Sequence, residues 1–134
     1  MQISKCCIAN EREALDAISF GAAAIGLVGA MPSGPGPIAD EEIERIARSV
    51  PPPVATFLLT SEQTPKGIIE HHLRTRTNTI QIVDELTGRA YHEIRAAIPN
   101  IKLVQVIHVV DEGSVHEACE MAEQVDAILL DSGN

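Results

Sequence analysis

Aromatic side chains are scarce in this 134-residue sequence, which contains no tryptophan and only Phe20, Phe57 and Tyr91. Any hydrophobic core must therefore be aliphatic, and a hydrophobic content of 45% is enough to form one, which excludes a chain disordered throughout. Proteins that bind single-stranded nucleic acid stack its bases on aromatic rings. The shortage of rings disfavours that class of function.

Positive charge is also scarce, because ten basic side chains face nineteen acidic ones and the net charge is −9. Broad binding to nucleic acid or to an anionic membrane needs clustered cations, so we expect neither partner. No apolar run reaches the roughly 20 residues that span a bilayer, and residues 1–13 contain no apolar core of a signal peptide. Three cysteines do not suggest a disulfide framework. We expect a cytoplasmic protein.

Short aliphatic runs alternate with amphipathic stretches along the chain. The runs are continuous rather than alternating, as in strands buried on both faces. They predict six strands, at residues 3–7, 24–28, 54–59, 79–83, 102–110 and 127–130. The stretches between them have helical periodicity, with predicted N-caps at Asn10, at Asp40 and at Ser114, the last with Glu117 three residues on.

This β-α alternation predicts a single domain over residues 1–134, with a parallel sheet and its helices outside it. An open, doubly wound sheet and a (β/α)8 barrel cut short both fit the pattern. The G-x-G-x-x-G motif of dinucleotide-binding sheets is missing after the first predicted strand. The Gly/Pro-rich residues 31–37 follow the second strand, at the end where ligand loops lie in both architectures.

Residues at the strand ends resemble the phosphoribosylanthranilate isomerase family. Residues 5–10 (KCCIAN) and 21–26 (GAAAIG) are similar to the family's opening Lys-Ile-Cys-Gly-Ile-Thr and to its later Gly-Ala-Asp-Ala-Leu-Gly. Residues 102–107 (KLVQVI) and 128–132 (ILLDS) resemble its fifth and sixth strands. The similarity runs through the whole chain in register, and it favours the barrel.

The resemblance implies a TIM-barrel enzyme of tryptophan biosynthesis that needs no metal or cofactor. Its substrate is a phosphorylated sugar joined to anthranilate, which an Amadori rearrangement converts to a 1-deoxyribulose 5-phosphate. The family's general base maps to Cys7, and its general acid maps to Asp131. We expect the substrate-binding residues to be Ser33, Gly34, Gln81 and His108, from the resemblance or from their position at the ligand-facing rim.

The sequence departs from the family pattern at several positions. Ile8 replaces a glycine and is expected to crowd the site. Gly36 stands where the family has an arginine for the substrate carboxylate, and Val83 stands where it has a histidine. These losses leave open a catalytically degenerate relative that acts as a binding or assembly subunit.

Length is the largest departure. Eight βα units need roughly 200 residues, whereas 134 residues hold about six. A six-unit barrel has exposed strand edges. We therefore expect either a fragment of a longer protein or a chain whose edges are covered by a partner, such as a second copy.

Two pairs of adjacent residues suggest a disulfide and a metal site, but their predicted geometry argues against both. Cys6 and Cys7 fall in a predicted strand, where consecutive side chains point to opposite faces, which argues against a vicinal disulfide. His71 and His72 fall in a predicted helix and point about 100° apart, so they cannot easily bind one metal ion. We expect them on a solvated helix face.

Overall fold

The computed structural model describes residues 2–87 and 89–132 of the chain. Within these residues, five helices and six strands alternate. The strands are β1 (Ile3–Lys5), β2 (Ala22–Val28), β3 (Ala55–Thr60), β4 (Thr79–Ile82), β5 (Lys102–His108) and β6 (Ala127–Asp131). The helices are α1 (Glu11–Ser19), α2 (Asp40–Ser49), α3 (Pro65–Thr75), α4 (Ala90–Ala97) and α5 (Glu112–Met121). Every predicted strand is present, with its ends within two residues of the prediction.

All six strands lie in one parallel sheet in the order β1-β2-β3-β4-β5-β6. A doubly wound sheet reverses its strand order at a switch point, and this sheet does not. The sheet is also curled, because a cavity of about 160 Å³ on its concave side is lined by Cys6 beyond β1, by Gln81 of β4 and by Leu129 of β6. The architecture is thus that of a (β/α) barrel with six strands present.

The core lies between the convex side of the sheet and the helices, and it is aliphatic as predicted. One cluster joins α1 and α2 to the first strands, with Ala14, Ile25, Ile43, Ile46 and Leu58 fully buried. A second cluster lies under α3, α4 and α5 around Ile68, Ile80, Ile82, Ile94 and Leu103. Consecutive helices from α1 to α4 contact each other, as in a barrel's outer ring.

The helix starts show how local sequence sets the element ends. Asn10 caps α1, since its side chain accepts a hydrogen bond from the Glu13 amide at 2.9 Å. The prediction that Asp40 is the N-cap of α2 is wrong, because Asp40 is the first residue of the helix and Ala39 is the N-cap. Ser114 does not start α5 either: Asp111 is the N-cap, and Ser114 completes its capping box from the third helical position. Among the described residues, no helix has the length and apolar character to cross a membrane.

Candidate active site

A cavity of about 230 Å³ opens at the carboxyl ends of the strands. Five of the six predicted site residues line it, namely Cys7, Gly34, Gln81, His108 and Asp131. Ser33 lies in the same β2–α2 loop but is not among the lining residues. Parallel strands place their carboxyl ends at one rim, so residues up to 124 positions apart in sequence meet there.

Cys7 lines the side of this cavity that is formed by the residues after β1. β1 ends at Lys5, two residues earlier than predicted, and Cys7 adopts a left-handed backbone conformation with φ of 59°. Its Sγ lies 3.8 Å from the Pro35 carbonyl oxygen and 3.6 Å from Cys6 Sγ. The prediction that the two cysteines point to opposite faces is therefore wrong, because the strand geometry on which it rested stops before them.

Ile8 does not crowd the cavity. Its side chain is 1% exposed and belongs to the core cluster under α1 and α2, while its amide donates to the Gly26 carbonyl at 3.1 Å. The left-handed turn at Cys7 directs the next side chain into the core rather than toward a ligand. The expected obstruction at this position is wrong.

Asp131 and His108 form the opposite side of the rim. They are paired in the β5–β6 register, and His108 Nδ1 lies 3.8 Å from Asp131 Oδ2. His108 Nε2 is also 3.3 Å from the Val83 carbonyl oxygen, to which it can donate. Both side chains are about half exposed, so they are accessible to a ligand in the cavity. His108 is the only described lining residue that can carry a positive charge.

Gln81 occupies the floor between the two sides. It lies on β4, opposite Leu59 in the β3–β4 register, and it lines both the rim cavity and the interior cavity below it. An amide here offers both a donor and an acceptor to a polar ligand.

The β2–α2 loop packs against Cys7 at Gly36. Gly36 has φ of 93°, and a β-carbon on it would lie 3.0 Å from Cys7 Cβ. The loop base is held by a bridge between Val28 and Pro37 and by the Ile38 amide, which donates to Val28 at 2.9 Å. An arginine at position 36 would strain this backbone and press on Cys7, so the loop is built for glycine at that point.

A hydrogen-bonded network behind the rim, centred on the buried side chain of His71, was not predicted. His71 is 3% exposed, contrary to the expected solvated face, and its Nε2 donates to Asp40 Oδ1 at 2.9 Å. Its Nδ1 lies 2.9 Å from the Thr60 hydroxyl at the end of β3. Arg74 Nε donates to the other oxygen of Asp40 at 2.8 Å. This network ties α3 to the first residue of α2 and so fixes the end of the β2–α2 loop.

The network also sets the protonation state of Asp40. Partial burial alone would raise the pKa of this carboxyl, but hydrogen bonds from Arg74 and His71 outweigh burial and hold the pKa below its ordinary value. Asp40 is therefore ionised and accepts both hydrogen bonds at neutral pH. A hydrophobic-periodicity argument assigns His71 to the surface because it ignores this distant carboxylate.

Comparisons with known proteins give a consistent picture, although no family model matches the chain. N-(5'-phosphoribosyl)anthranilate isomerase 2 of Methanosarcina mazei is 29% identical over 133 residues, which are 98% of this chain and 59% of that protein. The chain spans about three fifths of the length of the curated relatives it matches.

Solved structures agree with the sequence relatives. Phosphoribosyl anthranilate isomerase from Thermotoga maritima superposes with a TM-score of 0.85 at 25% identity, over 100% of this chain and 62% of that one. A phosphoribosyl anthranilate isomerase in complex with reduced 1-(o-carboxyphenylamino)-1-deoxyribulose 5-phosphate gives 0.84 at 25% identity, over 98% and 64%. The resemblance of the chain to the phosphoribosylanthranilate isomerase family is thereby confirmed, in sequence as well as in fold.

Proposed function

We propose that this chain carries the acid and the base of a phosphoribosylanthranilate isomerase. The reaction is the Amadori rearrangement of N-(5-phosphoribosyl)anthranilate in tryptophan biosynthesis. The observation that carries the proposal is that Cys7 and Asp131, at the two ends of the sheet, line one cavity. Relatives with this activity that match nearly the whole chain support it.

Asp131 acts as the general acid. The furanose ring opens when its oxygen receives a proton, because the bond from that oxygen to C1 then breaks and leaves a nitrogen–C1 iminium. A carboxyl group exposed at the end of β6 can deliver this proton. His108, 3.8 Å away, lies where it can stabilise the carboxylate that results.

Cys7 acts as the general base. The iminium makes the hydrogen on C2 acidic, and a thiolate can remove it to give an enolamine, which becomes the ketone product when C1 takes up a proton. The Cys7 side chain is exposed at the cavity, as this role requires. Gln81, Gly34 and Ser33 are proposed to position the substrate through their amide, backbone and hydroxyl groups. No step uses a metal or a cofactor.

A second candidate is a catalytically degenerate relative that binds a related ligand or assembles with another protein. The β2–α2 loop favours it, because Gly36 and the residues around it offer no cation for the substrate carboxylate. Val83 at the end of β4 likewise lacks the histidine that the family pattern has there. The two candidates differ in whether the substrate turns over.

Self-association is proposed to accompany either function. Within residues 2–87 and 89–132, β1 and β6 each pair with a strand on one side only. Both are the outer strands of a parallel sheet, so β6 of one copy can continue into β1 of the next. Large apolar side chains are exposed beside these edges, among them Ile3 and Leu130. A second copy is therefore the proposed partner.

Turnover of N-(5-phosphoribosyl)anthranilate, measured with the protein of the complete reading frame, tests the proposal. We expect Cys7→Ser and Asp131→Asn each to reduce kcat by about 100-fold or more, as the loss of a general acid or base does. Circular dichroism and thermal unfolding should remain those of the parent protein, because both side chains are exposed.

Cys119→Ser and Asp84→Asn are the matched controls. Cys119 is exposed on α5, and Asp84 follows β4 with its carboxylate accepting from Gln63 at 3.1 Å. Both controls should retain parental turnover. Parental rates in Cys7→Ser or Asp131→Asn would remove that residue from the mechanism. A parent protein that binds the product analogue without turning over the substrate would instead establish the degenerate relative.

A further inference from the structure

The two adjacent cysteines at the cavity form a preorganised dithiol. Their Sγ atoms are 3.6 Å apart, and both residues are exposed. Cys7 faces the rim cavity, whereas Cys6 faces the interior cavity on the concave side of the sheet. Cys7 is therefore the cysteine that a reagent in the rim cavity contacts, and Cys6 is its immediate neighbour.

The fold holds each sulfur in place. The φ of 59° at Cys7 turns its side chain back toward Cys6. A β-carbon placed on Gly26 would lie 3.1 Å from Cys6 Sγ, and one placed on Gly36 would lie 3.1 Å from Cys7 Sγ. Two glycines thus provide the space into which the sulfurs fit. The proximity is a property of the folded chain and not of adjacency alone.

We propose that Cys6 and Cys7 are a site of reversible two-electron oxidation, which a hydroperoxide converts to a vicinal disulfide. Cys7 is the thiol that reacts first, by attacking the hydroperoxide, and Cys6 is the resolving thiol. This chemistry does not depend on the proposed function. Its consequence for turnover does, because the disulfide would consume the proposed base.

The steps balance as follows. The Cys7 sulfur takes one oxygen from the hydroperoxide, which leaves as an alcohol or as water, and becomes a sulfenic acid. The Cys6 sulfur then attacks the Cys7 sulfur, so that the sulfur–sulfur bond forms and the sulfur–oxygen bond breaks. The hydroxide leaves with the Cys6 proton as water. Two thiols lose two electrons and two protons in total, and the hydroperoxide accepts them.

The protonation of Cys6 disfavours it as the first thiol to react. Partial burial, together with the neighbouring Cys7, raises the pKa of the Cys6 thiol to about 11, so it keeps its proton at neutral pH. A protonated thiol reacts slowly with peroxide, since the thiolate is the nucleophile. Cys6 therefore does not compete with Cys7 for the oxidant.

Backbone geometry makes the product labile. Adjacent Cα atoms are 3.80 Å apart across a trans peptide, whereas disulfides usually need 4.4–6.8 Å. The bond is therefore strained and easily reduced, as in regulatory rather than structural disulfides. Closing it would also draw Cys7 Sγ from 3.6 Å to about 2.05 Å of its neighbour and away from Pro35.

The experiment treats the folded protein with stoichiometric hydrogen peroxide, alkylates the remaining thiols and digests with trypsin. Cleavage after Lys5 and Arg12 isolates both cysteines in residues 6–12, separate from Cys119. In the parent protein we expect this peptide to lose two hydrogens and both alkylation sites, and dithiothreitol to restore them. In Cys6→Ser we expect a Cys7 sulfenic acid that dimedone traps, and in Cys7→Ser an unmodified Cys6.

A synthetic peptide of residues 1–12 and the Cys119→Ser variant are the controls. The peptide contains the same adjacent cysteines without the fold and should form the internal disulfide more slowly, whereas Cys119→Ser should oxidise like the parent. Dimedone trapping of Cys7 in the parent to the extent seen in Cys6→Ser would overturn the proposal, as would equal rates in peptide and protein. A turnover assay of the oxidised protein follows separately: disulfide formation without loss of turnover would contradict the role of Cys7 as base and leave the dithiol chemistry intact.

Discussion

His72 is buried like His71, so the expectation of a solvated helix face is wrong for both, and one of its two ring nitrogens is hydrogen-bonded. Its Nε2 donates to the Thr77 carbonyl at 2.7 Å, so the other nitrogen, Nδ1, carries no hydrogen in the neutral ring. No described residue offers Nδ1 a hydrogen-bond partner. Protonation would bury a charged N–H that has no partner among the described residues, which is unfavourable. Burial accordingly lowers the pKa of His72 from its ordinary 6.5.

This lowered pKa predicts a loss of stability in mild acid. The unfolded chain protonates His72 near pH 6.5, whereas the folded chain binds that proton only at a lower pH. Between these two values the unfolded state holds more protons, so the free energy of unfolding falls as the pH falls. One such group changes it by at most about 1.4 kcal/mol per pH unit.

Urea unfolding of the parent and of His72→Gln at pH 7.5 and 5.5 measures this contribution. Glutamine keeps a donor near the Thr77 carbonyl but does not titrate, so the variant should lose less stability between the two values than the parent. His92→Gln, at an exposed position of α4, is the control and should behave like the parent. Identical pH dependence in His72→Gln and the parent would show that the pKa of His72 is the same in the folded and unfolded states.

Gly29, which directly follows β2, lies so close to helix α3 that a side chain at this position would clash with the helix. A β-carbon on Gly29 would lie 2.3 Å from Cε1 of His71. That ring cannot move aside easily, because hydrogen bonds to Thr60 and Asp40 hold both of its nitrogens. Gly29 therefore permits the contact through which α3 reaches α2.

Gly29→Ala should lower the free energy of unfolding by about 1–3 kcal/mol, the usual cost of overpacking a core. Gly67→Ala is the matched control. Its β-carbon would meet the carboxylate of Glu62, an exposed side chain that can swing away. It would also lie 3.0 Å from the hydroxyl oxygen of Thr64, the N-cap of α3, and a shift of a few tenths of an ångström relieves that contact. Alanine is favoured over glycine in helices by about 1 kcal/mol. Denaturant unfolding should therefore find Gly67→Ala unchanged or stabilised. Equal stability of the two variants would mean that His71 yields freely.

Local sequence was sufficient to predict the elements but not their long-range contacts. Continuous aliphatic runs located all six strands, and Asn10 was identified as a cap because its partner is three residues away. Asp40 was mistaken for a cap because its carboxylate serves His71 and Arg74, more than 30 residues further along the chain. Periodicity cannot reveal such partners.

The candidate site divides in the same way. The position of Cys7 and Asp131 at one cavity follows from the parallel order of the strands, which the alternation predicts. The contact of Cys7 with Cys6 does not, since it depends on a positive φ at a non-glycine residue. Such a conformation is rare and is imposed by tertiary packing, so it has no signature in the local sequence.

The curled sheet has two outer strands, β1 and β6, each of which pairs with one other strand within the described residues. At the β6 edge the helix-side face is also uncovered, and Leu130 is 58% exposed. Fully burying an exposed leucine is worth about 1.5–3 kcal/mol, so covering the exposed part of Leu130 is worth about 1–2 kcal/mol, which favours contact with another copy. A lysine on an edge strand opposes this contact, because its charge would have to be desolvated.

We therefore expect Leu130→Lys to shift the protein toward monomer, with the concentration of half-association raised about tenfold, since 1.4 kcal/mol corresponds to that factor. Sedimentation velocity over a range of protein concentrations measures it. Leu73→Lys is the control, because Leu73 is 52% exposed on α3, away from both edges, and the same charge there should leave association as in the parent. Equal effects of the two variants would show that the change comes from net charge alone. A parent protein that remains monomeric at every concentration would exclude a second copy as the partner that contacts these edge strands.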